Sequence, residues 1–285
     1  MSLSLEVPFE ALDPSRIREQ MSPLSLQLLA SLSVLDETDS SNSALQRLPL
    51  EEQHAKAILA ESQTRGRGRR QRHWYSPHGC NIYLSLGWCF KDGSPCLSTL
   101  PLVAAICTCR ALERSGLQGQ RIKWPNDVEV SGAKLAGILV ELRAGASGPA
   151  HAVIGIGLNV SMPAGSPARI EADASIERSW TDLAAQLSRD RSEISRNDVA
   201  AALLDELLTG IHQYESAGFD VFRAEWKQLD ALEGRAVRVD LPDNSVTGVA
   251  RGINSDGALV LDVTGPAGHP EQRFIHAGEV SVRDV

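Results

Sequence analysis

Apolar positions in this chain recur at two spacings, one suited to strands and one to helices. Near the N-terminus, Asp13 followed by Pro14 predicts a capped helix to about Met21, and a second helix is expected from Leu24 to Ser31. Val34–Thr38 reads as a strand, and Asp39-Ser40-Ser41-Asn42-Ser43 as a helix start leading into Ala44 and Leu45. Lys56–Glu61 and Asn81–Leu86 are apolar enough for buried strands. Leu97–Arg114 has helical spacing and stops at Gly116. Further strands are predicted over Arg121–Trp124, Leu135–Leu142 and Ala152–Val160, with a small flexible turn over Ala144–Pro149. A capping-box-like Ser195–Asp198 opens a long amphipathic helix to about Tyr214, and Gly218 separates it from a helical pattern over Phe219–Leu229.

After Gly234 the spacing changes. Val237, Val239 and Leu241 alternate with polar residues, Pro242-Asp243-Asn244 makes a turn, and Val246–Ile253 and Ala258–Val263 are joined across Ser255-Asp256-Gly257. Short alternating strands at turn spacing predict a small β-barrel, with a boundary near residues 230–234. Three stretches are therefore expected: an N-terminal helical linker over 1–34, a large domain over 35–232 and a small one over 233–285. Internal repeats and long low-complexity tracts are absent from the sequence.

Composition narrows the class. The 285 residues are 42% hydrophobic and 22% charged, as in an ordinary packed protein. No apolar run is long enough to span a bilayer, and MSLSLEVPFEAL has neither the basic nor the apolar region of a secretion signal. Five cysteines without a CxxC read as free thiols of a cytoplasmic protein. A net charge of −8 argues against a surface devoted to nucleic acid. Against that background Arg65-Gly66-Arg67-Gly68-Arg69-Arg70-Gln71-Arg72 places five cations in eight residues. Taken alone it also reads as a solvated patch or an RNA-binding tail. Its position between two apolar strands favours a loop for a small anionic ligand, which would order it by neutralising the repulsion.

Three other segments carry candidate chemistry. Gly155-Ile156-Gly157-Leu158-Asn159 lacks the third glycine and following helix of a dinucleotide fingerprint, so it reads as a strand passing close beneath a flat ligand. Lys123-Trp124-Pro125-Asn126-Asp127 sets an amide and a carboxylate on a rigid rim, either a plain turn or oxygen ligands for Mg²⁺ with nucleotide phosphates. Lys134, at the mouth of an apolar strand, is either a surface lysine or a partner for a carboxylate or α-phosphate. No Walker A motif, GxSxG elbow, HExxH motif or metal-ligand spacing among the seven histidines is present.

In their order and spacing these segments, together with Asp39–Asn42, Gln63, His73-Trp74, Ser76-Pro77, Asn81–Ser85 and Lys134–Glu141, resemble the bacterial biotin–protein ligases. The resemblance runs from about residue 35 to the C-terminus. It implies an α+β fold: a mixed sheet with helices, related to class II aminoacyl-tRNA synthetases and lipoate ligases, followed by an SH3-like barrel. It implies ATP-dependent activation of biotin to its adenylate, with Mg²⁺, and transfer to a lysine of a biotin carboxyl carrier protein, the acetyl-CoA carboxylase subunit.

By the same resemblance Ser40, Ser41, Asn42 and Gln63 would line the biotin site, and Arg67, Gly68 and Arg69 would close over it. Gly155 and Gly157 would let the ring system lie against the strand. Arg72, Trp74, Asn126, Asp127 and Asn159 would serve the nucleotide, with Lys134, Arg69 and Asp127 as the catalytic groups. Gln71 stands where the family usually has glycine, a change that removes no charge. Many bacterial relatives begin with a helix-turn-helix repressor domain. The roughly 35 residues before the first motif here resemble the linker after it, so either a ligase without the repressor half or a shortened chain is expected, with no DNA partner and a homodimer left open. A lipoate ligase and a ligand-sensing repressor are the competing readings.

Overall fold

The computed structural model describes residues 10–90, 96–144, 149–163, 166, 179–190, 193–241, 244–265, 269–277 and 281–284. Most of the turns expected at Ala144–Pro149 and Pro242–Asn244 lie outside the described residues, as does the start of the N-terminal segment. Two short helices open the fold, α1 (Pro14–Glu19) and α2 (Pro23–Leu28). The Asp13 carboxylate accepts from the backbone N–H of Ser15 and Arg16, which begins α1 where the sequence predicts. Helix α2 stops three residues earlier than expected. Ser31 already belongs to strand β1 (Ser31–Thr38), which pairs parallel with β2 (Lys56–Gln63), so sheet pairing overrides local helical spacing there.

Helix α3 (Ser41–Gln46) lies between those strands in sequence, and β3 (Ile82–Phe90), α4 (Leu100–Arg114), β4 (Gln120–Lys123), β5 (Asp127–Val130), β6 (Ala133–Ala144) and β7 (Ala150–Leu158) follow. The seven strands form one mixed sheet in the order β1-β2-β3-β7-β6-β5-β4, antiparallel except for β1–β2. Helix α5 (Leu183–Leu187) precedes the long α6 (Arg196–Ala217), whose Ser195 cap accepts from the Asp198 N–H, and α7 (Arg223–Leu229).

Leu203, Leu204, Leu207, Leu208 and Ile211 of α6 are fully buried at helical spacing, and they pack with α4 on one face of the sheet. Each such side chain contributes about 2 kcal/mol by leaving water. The opposite face carries α3, with Leu45 against Ile58 and Val153. All five cysteines are free, and burial pushes the Cys107 thiol up to about 12. No helix among the described residues is long and apolar enough to cross a membrane.

The C-terminal strands β8 (Ala236–Asp240), β9 (Ser245–Ile253), β10 (Leu259–Thr264), β11 (Pro270–Ile275) and β12 (Ser281–Asp284) form an antiparallel sheet in the order β11-β10-β9-β8-β12. It docks on the first unit through buried Trp124, whose indole N–H donates to the Gly257 carbonyl at 3.0 Å. At the junction Asp230 accepts from the Leu232 N–H through Oδ1, while its buried Oδ2 has no hydrogen-bond partner among the described residues.

Burial pushes the Asp230 carboxyl from 3.8 up to about 6. The folded chain therefore holds a proton there that the unfolded chain loses, and stability falls as pH rises from about 4 to about 6. The full shift corresponds to about 3 kcal/mol, which residual solvent contact reduces to about 1–2 kcal/mol. Asp230→Asn is expected to raise the melting temperature more at pH 8 than at pH 4.5. Thermal melts at the two pH values check this, and equal gains would contradict it.

Candidate active site

The two faces of β7 differ because side chains alternate along a strand. Ile154, Ile156 and Leu158 enter the core with α4 and α6, which leaves Gly155 and Gly157 on the other face. Register places Gly155 between Ser85 of β3 and Leu139 of β6. A Cβ at Gly155 would stand 2.4 Å from Asn42 Oδ1, and one at Gly157 would stand 2.4 Å from the Trp74 indole. Both glycines border a cavity. The Asn42 amide and the Trp74 ring stand against them, and the partly open cavity beside them measures about 120 Å³.

The cavity gathers residues from distant parts of the chain. Ser40, Ser41 and Asn42 come from the start of α3, and Gln63 from the end of β2. The Gln63 amide oxygen accepts from the Ser41 N–H at 2.9 Å, and its Nε2 donates to Ser76 Oγ at 3.0 Å. Asp39, at the edge, receives the Ser40 N–H and pairs with Arg47, whose guanidinium holds the carboxyl well below the usual range.

After Gln63 the arginine segment folds back as a hairpin-like loop. Trp74 N–H donates to the Gly66 carbonyl at 2.8 Å and Gly68 N–H to the Arg72 carbonyl at 2.7 Å, while Arg70 takes a positive φ of 58°. Arg67, Gly68, Arg69, Arg72 and Trp74 all line the cavity. Arg67 reaches Glu141 at 2.9 Å. Arg69 donates to Asn126 Oδ1 at 3.1 Å and to the Ala277 carbonyl of the C-terminal unit, so it ties loop, rim and barrel together.

The opposite wall is the rim after β4. Asn126 donates to the Ile138 carbonyl at 2.9 Å, and buried Asp127 pairs with Lys134 Nζ at 2.8 Å. Lys134 also lies 5.1 Å from the centre of the Trp74 ring, a cation–π distance. Its backbone is clamped by Ser179 and Thr181, each at 2.9 Å. Asn159 is buried and donates to the Thr181 carbonyl at 3.0 Å. Asn159 Oδ1 and Trp74 Nε1 have no partner among the described residues, which leaves one acceptor and one donor to be used by a ligand.

Every residue given a binding or catalytic role from the sequence therefore borders one cavity. Sequence reasoning missed Ser179, Trp180 and Val282, and Val282 arrives only through docking of the C-terminal sheet. The lining combines uncharged hydrogen-bonding groups, Ser41 and Gln63, with cations, Lys134 and the loop arginines. That combination suits a ligand with both a neutral hydrogen-bonding part and an anionic part.

Residues 34–159 match the model of the Biotin/lipoate A/B protein ligase family, and residues 234–283 that of the Biotin protein ligase C terminal domain. The chain is 36% identical over 262 residues to the bifunctional ligase/repressor BirA of Salmonella typhimurium, covering 92% of this chain and 77% of that one. It is 31% identical to the biotin–[acetyl-CoA-carboxylase] ligase of Paracoccus denitrificans, covering 87% and 98% respectively. Among solved structures, the biotin protein ligase of Aquifex aeolicus in complex with biotin and ATP superimposes with a TM-score of 0.71 at 26% identity, covering 90% of this chain and all of that one. The chain belongs to the biotin protein ligase family.

Proposed function

We propose that this protein joins biotin to ATP as biotinyl-5′-AMP and passes the biotinyl group to a lysine of a biotin carboxyl carrier protein. One observation carries this reading: a single cavity is lined both by the Ser41–Gln63 hydrogen-bonding cluster and by Lys134 with the loop arginines. In the first step a carboxylate oxygen of biotin attacks the α-phosphorus and pyrophosphate leaves. Two anions meet, so the rate depends on cations already aimed at the developing charge. Lys134 supplies one, held by Asp127 and by the backbone clamp at Ser179 and Thr181. In the second step the carrier amine attacks the acyl carbon and AMP leaves, with the intermediate kept from water under the loop.

Among the described residues no group of three His, Cys, Asp or Glu could hold a metal on its own. One rim carboxylate, Asp127, fits an ion carried in on nucleotide phosphates. Mg²⁺ held there would neutralise the pyrophosphate leaving group. Residues 35–232 are read as the catalytic domain and 233–285 as the barrel that completes it, with 1–34 as the linker. A cytoplasmic protein without a DNA partner is the matching setting, and a homodimer is compatible with it.

The test is pyrophosphate release with biotin and with lipoate in competition. Release driven by biotin and indifferent to lipoate is expected. Release driven by lipoate alone would replace this reading with lipoate ligation.

A further inference from the structure

Transfer of the biotinyl group requires a deprotonation that neither Lys134 nor the loop arginines can perform. A carrier lysine arrives as an ammonium ion, and with an ordinary pKa of about 10.4 roughly one in a thousand is neutral at pH 7.4. Only the neutral amine has the electron pair that attacks an acyl carbon. A base at the cavity speeds that step, and few of the described lining residues can serve. Lys134 holds its proton in the ion pair with Asp127, 2.8 Å away, and the arginines stay cationic. Asp127 is engaged by the same pair, and a carboxylate is a weaker base than imidazole by about two units. The lining residue that remains is His73.

His73 stands directly opposite Arg67 in the arginine loop. Trp74 N–H donates to the Gly66 carbonyl and Gly68 N–H to the Arg72 carbonyl, one bond on each side of the pair. Between such bonds two opposed residues send their side chains to one face at close range. Arg67 shows which face this is, since its guanidinium reaches Glu141 at 2.9 Å, beside cavity-lining Asn42. Arg67 is half-buried there, whereas His73 is exposed, at the mouth where a protein lysine would enter. We infer that His73 is the general base of the transfer step, and this rests on the ligase reading. The carrier ammonium gives one proton to an imidazole nitrogen, and the freed electron pair forms the C–N bond at the acyl carbon. The bond from that carbon to the phosphate oxygen breaks, its electron pair leaves on AMP, and the nitrogen sheds its second proton to water. His73 returns its proton to solvent at the mouth. The charged groups around it are Arg67, Arg69, Arg70 and Arg72 of the loop, Glu141 of β6 and the Lys134–Asp127 pair.

Single-turnover transfer by the full chain tests the inference. Biotinyl-5′-AMP is bound in stoichiometric amount, a biotin carboxyl carrier domain is added, and the carrier mass is followed in time from about pH 6 to about pH 10. Near neutral pH, His73→Gln is expected to slow transfer about a hundredfold, the lower end of what a positioned base contributes. Pyrophosphate release from biotin and ATP is expected to change only a few-fold. Wild-type transfer is expected to rise with pH and level off once the imidazole is neutral. The variant is expected to keep rising as hydroxide neutralises the lysine, closing the gap at the alkaline end. Hydroxylamine is already neutral near pH 7, so it is expected to take the biotinyl group from both proteins at similar rates. Equal carrier transfer by the two proteins, parallel pH profiles, or a loss of pyrophosphate release as large as the loss of transfer would each overturn the role. An equal loss with hydroxylamine would overturn it too, by showing that His73 only shapes the loop. A wild-type chain that releases no pyrophosphate with biotin, or transfers to no carrier, would instead refute the ligase reading.

Discussion

Lys134→Ala is expected to lower the rate of pyrophosphate release roughly 10²–10³-fold at saturating biotin and ATP, the usual cost of removing one preorganised charge from a developing anion. The lysine lies on the second residue of β6, with its backbone held on both sides and its ammonium 2.8 Å from Asp127. The same substitution removes the ion pair to the Asp127 carboxylate, whose side chain is 8% exposed, which costs stability as well. Adding Asp127→Asn separates the two effects. The double variant is expected to regain melting temperature without regaining adenylation. Near-normal pyrophosphate release in Lys134→Ala would remove Lys134 from the chemistry, and recovery of activity in the double variant would make its role structural.

Arg69→Gly is expected to act on the other step. Arg69 connects the loop with the Asn126 rim and with the Ala277 carbonyl of the C-terminal unit. Hydrogen bonds from a charged donor contribute about 1.5–3 kcal/mol each, and glycine adds backbone freedom to the loop. The adenylate is therefore expected to leave the variant roughly a hundredfold faster, while its formation falls only a few-fold. Trapping the released adenylate on a filter after a single turnover measures this. Retention equal to the parent would show that Arg69 does not hold the loop shut.

Much of this site was legible because its parts obey local rules. Period-2 alternation in β7 separates Ile154 and Ile156 from Gly155 and Gly157, and a run of arginines and glycines between apolar strands marks a ligand loop. Other elements left weaker traces. Strand β5 was not predicted, only its first residue Asp127 being read, as a rim carboxylate or part of a turn, although Ser131 and Gly132, at φ values of 51° and 81°, make the two-residue hairpin turn that joins it to β6. Strand β11 has little apolar alternation, since Glu271, Gln272 and Arg273 follow one another on an edge strand. The contacts of Glu141 with Asn42 and Arg67 were not readable at all. They depend on the register that sets β6 beside β7 and brings α3 over both, contacts between residues about a hundred positions apart. The occupation of the glycine faces by Asn42 and Trp74 was hidden for the same reason, because each comes from a different segment.

The central claim is that this chain activates biotin and passes it to a protein lysine. Incubating it with ATP, Mg²⁺, biotin and a biotin carboxyl carrier domain, and weighing the carrier by intact mass spectrometry, tests that claim most directly. A carrier heavier by one biotinyl group, absent without ATP and absent when the acceptor lysine is replaced, is the predicted result. A carrier of unchanged mass, with several carrier domains tried, would contradict it.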